Sequence, residues 1–204
     1  MGNPSAYLDL QTKDAIISKL DKLLQHIDET NYSYIAIFNL IEQTNVLNTE
    51  EKIAWLTKNT SYLPGPFLLL NATYISIKNP ALAGKWYLLG RARMIADLDK
   101  CYNNDLSDGI QIVLMRFLPR LNIGEEKTEK SIFNYMLSID TKMTRKLNKK
   151  YPYKVVAPYW IDNHGMNVFL AEAGNSPFVT KDKWQQIEQN ALEEQIKYIE
   201  QRKN

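Results

Sequence analysis

The 204-residue chain is predicted to fold as an all-α protein, an irregular bundle of seven or eight helices arranged as hairpins and possible solenoid-like pairs, on three observations. Apolar residues recur at helical spacing through most of the sequence. Prolines and glycines punctuate the boundaries of those segments. Residues 79–103 read as one helix that is apolar almost all the way round, as a central helix must be.

Taken in order, Ile16, Leu20, Leu23, Leu24 and Ile27 form one face of a first helix. Residues 28–31 interrupt it, and residues 32–43 continue as a second, mostly apolar helix. Asn48 followed by Glu51 is a capping pattern for a third helix through Ile53, Trp55 and Leu56. Pro64-Gly65-Pro66 ends that segment, because neither proline can donate a helical hydrogen bond. Residues 67–77 contain strand-favouring Tyr74, Ile75 and Ile77, but their length and helical neighbours favour a buried helix.

Asn79-Pro80 opens the central helix, with proline in the first turn where its missing N–H does no harm. Ser107 is placed to cap a sixth helix through Ile110, Leu114 and Phe117, closed by Pro119. After Gly124 the period returns with Ile132, Tyr135, Met136, Ile139, Met143 and Leu147. Residues 151–177, rich in proline, glycine and aromatics, read as a loop-rich segment with a short helix near 166–173. A last helix, capped by Thr180, carries Trp184, Ile187, Ala191, Ile196 and Ile199 on one face. The length suits one helical domain spanning residues 1–204.

Composition narrows the function. Hydrophobic residues make up 45% and charged residues 24%, a globular mixture. The net charge of +2 is too small for nucleic-acid binding through bulk electrostatics, so no nucleic-acid partner is expected. Cys101 is the only cysteine, which rules out an intrachain disulfide. No run approaches the roughly 18 apolar residues of a membrane span; the best stretch, 66–77, is broken by Asn71, Thr73 and Ser76. The start of the chain lacks the basic and apolar regions of a signal peptide, which points to the cytoplasm, or to the periplasm if a leader has been removed.

The central helix carries Arg91, Arg93, Asp97 and Asp99 among Trp86, Leu88, Ile95, Leu98 and Tyr102. Each buried charge needs a partner, because an isolated buried ion costs several kcal/mol. The expectation is a structural network built on an intrahelical Arg93–Asp97 pair, with ion pairs to neighbouring helices. The alternative is a charged pocket open to a ligand.

Residues 158–166 bring together Tyr159, Trp160, Asp162, Asn163, His164 and Gly165. An aromatic, acid, amide and imidazole on one loop suit recognition, while Asp162 and His164 could in principle form an acid–base pair. Together with Tyr151 and Tyr153 these residues are the expected partner-contact surface. Two histidines and one cysteine, with no HExxH or CxxC pattern, make a dedicated metal site improbable, and no cofactor is expected. Phosphate-binding glycine loops and the GxSxG nucleophile motif are missing too. The basic run Lys142, Arg145, Lys146, Lys149, Lys150 and Lys154 reads as a solvated helix end balanced by the acids of residues 188–200.

The pattern Trp86…Arg91-x-Arg93…Asp97…Cys101, then Asp108-Gly109-Ile110, then Pro158-x-Trp160-Ile161…His164-Gly165-Met166, resembles all-helical proteobacterial proteins of the toxin-neutralising, immunity type. The resemblance covers about half the chain and implies binding of a cognate toxin or effector rather than catalysis; it transfers no functional residue. Two other readings are a hydrolase or effector enzyme using Asp162/His164 or the Arg91–Asp99 cluster, and a helical adaptor. For the adaptor, Asn79-Pro80, Ala83 and Lys85-Trp86-Tyr87 resemble one half-unit of a Sel1 or tetratricopeptide repeat.

Overall fold

A computed structural model describes residues 12–27, 31–101, 114, 116–122, 129–154, 158 and 178–203. The fold is all-α, with eight α-helices among these residues: α1 (Lys13–Leu24), α2 (Asn31–Gln43), α3 (Thr49–Lys58), α4 (Gly65–Ser76), α5 (Pro80–Asp99), α6 (Glu129–Ser138), α7 (Thr141–Lys150) and α8 (Trp184–Lys203). The only β pairing among the described residues is an isolated bridge between Cys101 and Phe178. No described helix is long and apolar enough to cross a membrane.

Local chemistry sets the helix starts. Thr12 Oγ1 accepts from the Ala15 amide at 3.2 Å to open α1. Asn48 and Glu51 close a reciprocal capping box on α3, at 2.9 and 3.0 Å. Asn79 Oδ1 takes the Leu82 amide at 2.9 Å, with Pro80 in the first turn of α5. The apolar period over 132–147 is divided: Asp140 Oδ1 accepts from Met143 N at 2.9 Å and starts a new helix, α7. Thr180, expected to cap the last helix, instead precedes a 3-10 turn at Lys181–Lys183, and α8 begins only at Trp184. The central helix ends at Asp99, short of the expected residue 103. Ser107 and the short helix near 166–173 lie outside the described residues.

The ambiguous stretch is helical. In α4 eleven of the twelve residues, from Gly65 to Thr73 with Ile75 and Ser76, are buried, so tertiary packing overrules the local strand preference of Tyr74 and Ile75, and Ile77 stands exposed just past the helix end. Its hydroxyls turn inward onto the helix itself, Thr73 Oγ1 to Leu70 O and Ser76 Oγ to Thr73 O, both at 2.7 Å. A Cβ on Gly65 would stand 2.4 Å from Gly90 O, and one on Gly90 would stand 2.9 Å from Gly65 O. Two glycines thus let α4 and α5 touch backbone to backbone, and this hairpin is the densest pairing in the fold. α3 covers α4, while α7 and α8 cover α5, and one apolar cluster runs from Ile16 to Ile199.

Candidate functional site

The strongest departure from a plain apolar core lies where the end of α5 meets α8 and residues 151–154. Arg93, Asp97 and Lys100 are all buried there, and Lys100 is fully excluded from solvent. They are on the wall of the core because the helix that carries them is covered on several sides, so each charge must be matched inside the protein.

Arg93 spends its guanidinium on backbone rather than on Asp97, which corrects the expected intrahelical pair. Nη1 donates to Thr60 O at 2.5 Å and Leu63 O at 3.1 Å, and Nη2 donates to Tyr151 O at 2.7 Å. Thr60 O already accepts from Leu63 N at 3.3 Å, and at the proline-broken α3–α4 connection a planar, multi-donor cation adds a second bond to it and one to Leu63 O. Burial lowers the Arg93 pKa to about 10, against the opposing pull of Tyr153, Glu188 and Asp97, so it stays protonated at neutral pH.

Asp97 is matched differently. Its Oδ1 takes Lys100 Nζ at 2.9 Å and its Oδ2 takes the Tyr153 hydroxyl at 3.0 Å. Lys100 also reaches Glu188 Oε1 on α8 at 2.8 Å. The Tyr153 ring is sandwiched between two cations, with Arg93 and Lys100 each 4.5 Å from its centroid. Behind it, Lys100 lies 5.3 Å from the Trp184 ring, and the Lys100 carbonyl accepts from Val179 N at 2.8 Å.

These contacts fix the protonation states. Burial acts against the Lys100 ammonium, but Asp97 and Glu188 outweigh it and hold its pKa above the ordinary lysine value. Burial, with Asp97 adding to it, holds the Tyr153 phenol well above the ordinary tyrosine value. Burial also raises the Glu188 carboxyl, with Lys100 opposing. Neither a neutral amine nor a phenolate is therefore presented at neutral pH, and the cluster's chemistry is that of a polar lock between α5, α8 and the segment after α7. A cavity of about 210 Å³ adjoins it, walled by Arg93, Tyr153, Glu188, Asn148, Gln185 and Gln189 among others.

The expected site residues are distributed as follows. Arg93 and Asp97 are at the centre of the network. Arg91 is half-buried and faces α6 rather than the network, and Asp99 is exposed, so the four do not form one cluster. Tyr153, expected on a partner surface, is only 9% exposed because Asp97 needs its hydroxyl. Tyr151 is half-buried, its ring 5.6 Å from Trp86 and its carbonyl held by Arg93. Tyr159, Trp160, Asp162 and His164 lie outside the described residues.

Sequence reading missed Lys100 and Glu188. Both left a signal: Lys100 stands three residues after Asp97, and Glu188 stands four after Trp184 and four before Leu192, on a face that is otherwise apolar. No group of three or more potential metal ligands occurs among the described residues. No protein-family model, curated protein or solved structure matches the chain.

Proposed function

We propose that the chain is a protein-binding module of the immunity type, which neutralises a bacterial toxin or effector by direct contact. One observation carries the reading: an apolar face of α2 that stands exposed among the described residues. Tyr32 and Ile35, one helical turn apart, are 75% and 46% exposed. They continue into a shallow cleft lined by Tyr34, Phe38, Pro66, Arg116 and Phe117. Burying large aromatic and aliphatic groups is how interface anchors contribute most of their affinity. Arg93, Asp97, Lys100 and Glu188, by contrast, are engaged with one another and with backbone inside the fold. Tyr159, Trp160, Asp162 and His164 remain sequence-based candidates for further contacts.

The test uses the purified full chain as bait against extracts of its source, with mass spectrometry of what is retained. Support is one stoichiometric partner whose toxic activity falls on binding, and whose capture is lost in the Tyr32→Asp/Ile35→Asp variant while the thermal melt is unchanged. Capture that ignores those two changes would remove α2 from the interface. A partner whose activity is unaffected by binding would remove the neutralising role.

A further inference from the structure

On the face of α5 opposite the polar lock, a second cavity of about 280 Å³ opens between α5, α6 and α8. Ile132, Phe133, Met136 and Leu137 of α6, with Leu118 and Ile199, make its walls apolar. Phe133 and Tyr198 stand exposed at its mouth. Among the described residues, Arg91 is the only charged one lining it.

That half-buried arginine is treated unlike Arg93, the buried arginine of α5. Arg93 gives its two Nη groups to three carbonyls and leaves only its Nε unpartnered, whereas no side-chain nitrogen of Arg91 has a hydrogen-bond partner among the described residues, and its Nε is also out of contact with water. An Nε–H held against apolar walls without an acceptor bears a desolvation cost that an oxygen of an anion would relieve. Tyr87, whose pKa burial raises to about 12 with Arg91 opposing, lines the same cavity and offers a protonated hydroxyl beside the guanidinium.

We infer that this groove binds a small aliphatic carboxylate, the head group on Arg91 and the hydrocarbon chain along α6. The volume lies just below the roughly 300–1,000 Å³ of sites for drug-sized ligands, which favours a short chain over a long one. Planar two-point pairing with a carboxylate is the geometry a guanidinium provides best. This inference is independent of the protein partner proposed above, because the groove and the exposed face of α2 share no residue.

Isothermal titration with octanoate, and with octanol as the neutral probe of the same chain length, tests it on the full chain. Octanoate should bind at least ~10-fold more tightly than octanol, as expected for a hydrogen bond to a charged group in a desolvated site. Arg91→Gln should erase that preference and leave the melting temperature in place, since Arg91 has no side-chain hydrogen bond to lose among the described residues. If Arg91→Gln unfolds, Arg91→Lys replaces it, and the preference should then shrink but persist. Equal binding of the two probes, or binding of neither, overturns the proposal. So does binding of a short apolar peptide through its terminal carboxylate when octanoate does not bind.

Discussion

Lys100 Nζ lies 2.9 Å from Asp97 Oδ1 and 2.8 Å from Glu188 Oε1, and the Lys100 and Asp97 side chains are completely shielded from water. A single ammonium therefore serves two carboxylates from two helices. Removing it should leave two buried anions facing each other. Lys100→Met is expected to destabilise the protein by about 3–5 kcal/mol. Adding Glu188→Leu should restore part of that loss by removing one of the stranded charges. Urea denaturation of the single and double variants reads both effects. A loss under about 1 kcal/mol for Lys100→Met would show that the cluster does not hold α8 on α5.

The contact between Gly65 and Gly90 sets the distance between α4 and α5. A methyl group on Gly90 would meet Gly65 O at 2.9 Å, Leu68 Cβ at 3.0 Å and Leu69 Cδ2 at 3.1 Å, of which two are rigid. Alanine improves helix propensity by about 1 kcal/mol, but overpacking costs typically 1–3 kcal/mol. Gly90→Ala is expected to lower stability by about 1–2 kcal/mol, and Gly90→Val by more. A melting temperature that rises in Gly90→Ala would mean the hairpin can separate without loss.

Alkaline titration should be cooperative. Burial raises Tyr87 to about 12, and raises Tyr34, Tyr135 and Tyr153 from the ordinary value of 10.0 as well. Lys100 is also raised above its ordinary 10.5. Groups with raised folded-state pKa contribute stability that is complete below the unfolded value and lost as pH rises through the folded one. The protein should thus hold its near-ultraviolet circular dichroism to about pH 10 and then lose it, with phenolate absorbance appearing in the same transition. Smooth ionisation of all tyrosines near pH 10, with the circular dichroism unchanged, would place these phenols in water.

Surface pairing should count for far less. Arg145 makes a two-point contact with Glu193, with Nη2 to Oε2 at 2.7 Å, and reaches Glu200 at 3.1 Å. The participating side chains are about a third to a half exposed. Arg145→Ala is expected to cost under about 1 kcal/mol, shrinking further in 1 M salt. A loss comparable to that of Lys100→Met would show that α7 is held on α8 by charge rather than by packing.

Much of the fold was legible locally. Asn48 and Asn79 announce helix starts in their own side chains, and the structure uses each as a cap. The 3.6-residue period identified α1 because its apolar face is one-sided. It could not divide residues 132–147, since Asp140 interrupts the backbone without disturbing the apolar spacing. The run 67–77 stayed ambiguous for the opposite reason: a helix buried all round has no polar face to give it a period.

The candidate site was legible only in part. The sequence by itself determined that the chain is helical, that a central helix carries charge into an apolar surface, and that the charges need partners. Tertiary structure decided who those partners are. Arg93 turned to the carbonyls of Thr60 and Leu63, thirty or more residues away in the chain, Asp97 to Tyr153 and Lys100, and Lys100 to Glu188 on the last helix. The reason is physical: helix formation depends on neighbours within four residues. The match of a buried charge depends on whatever the packing brings within about 3 Å, however distant in sequence.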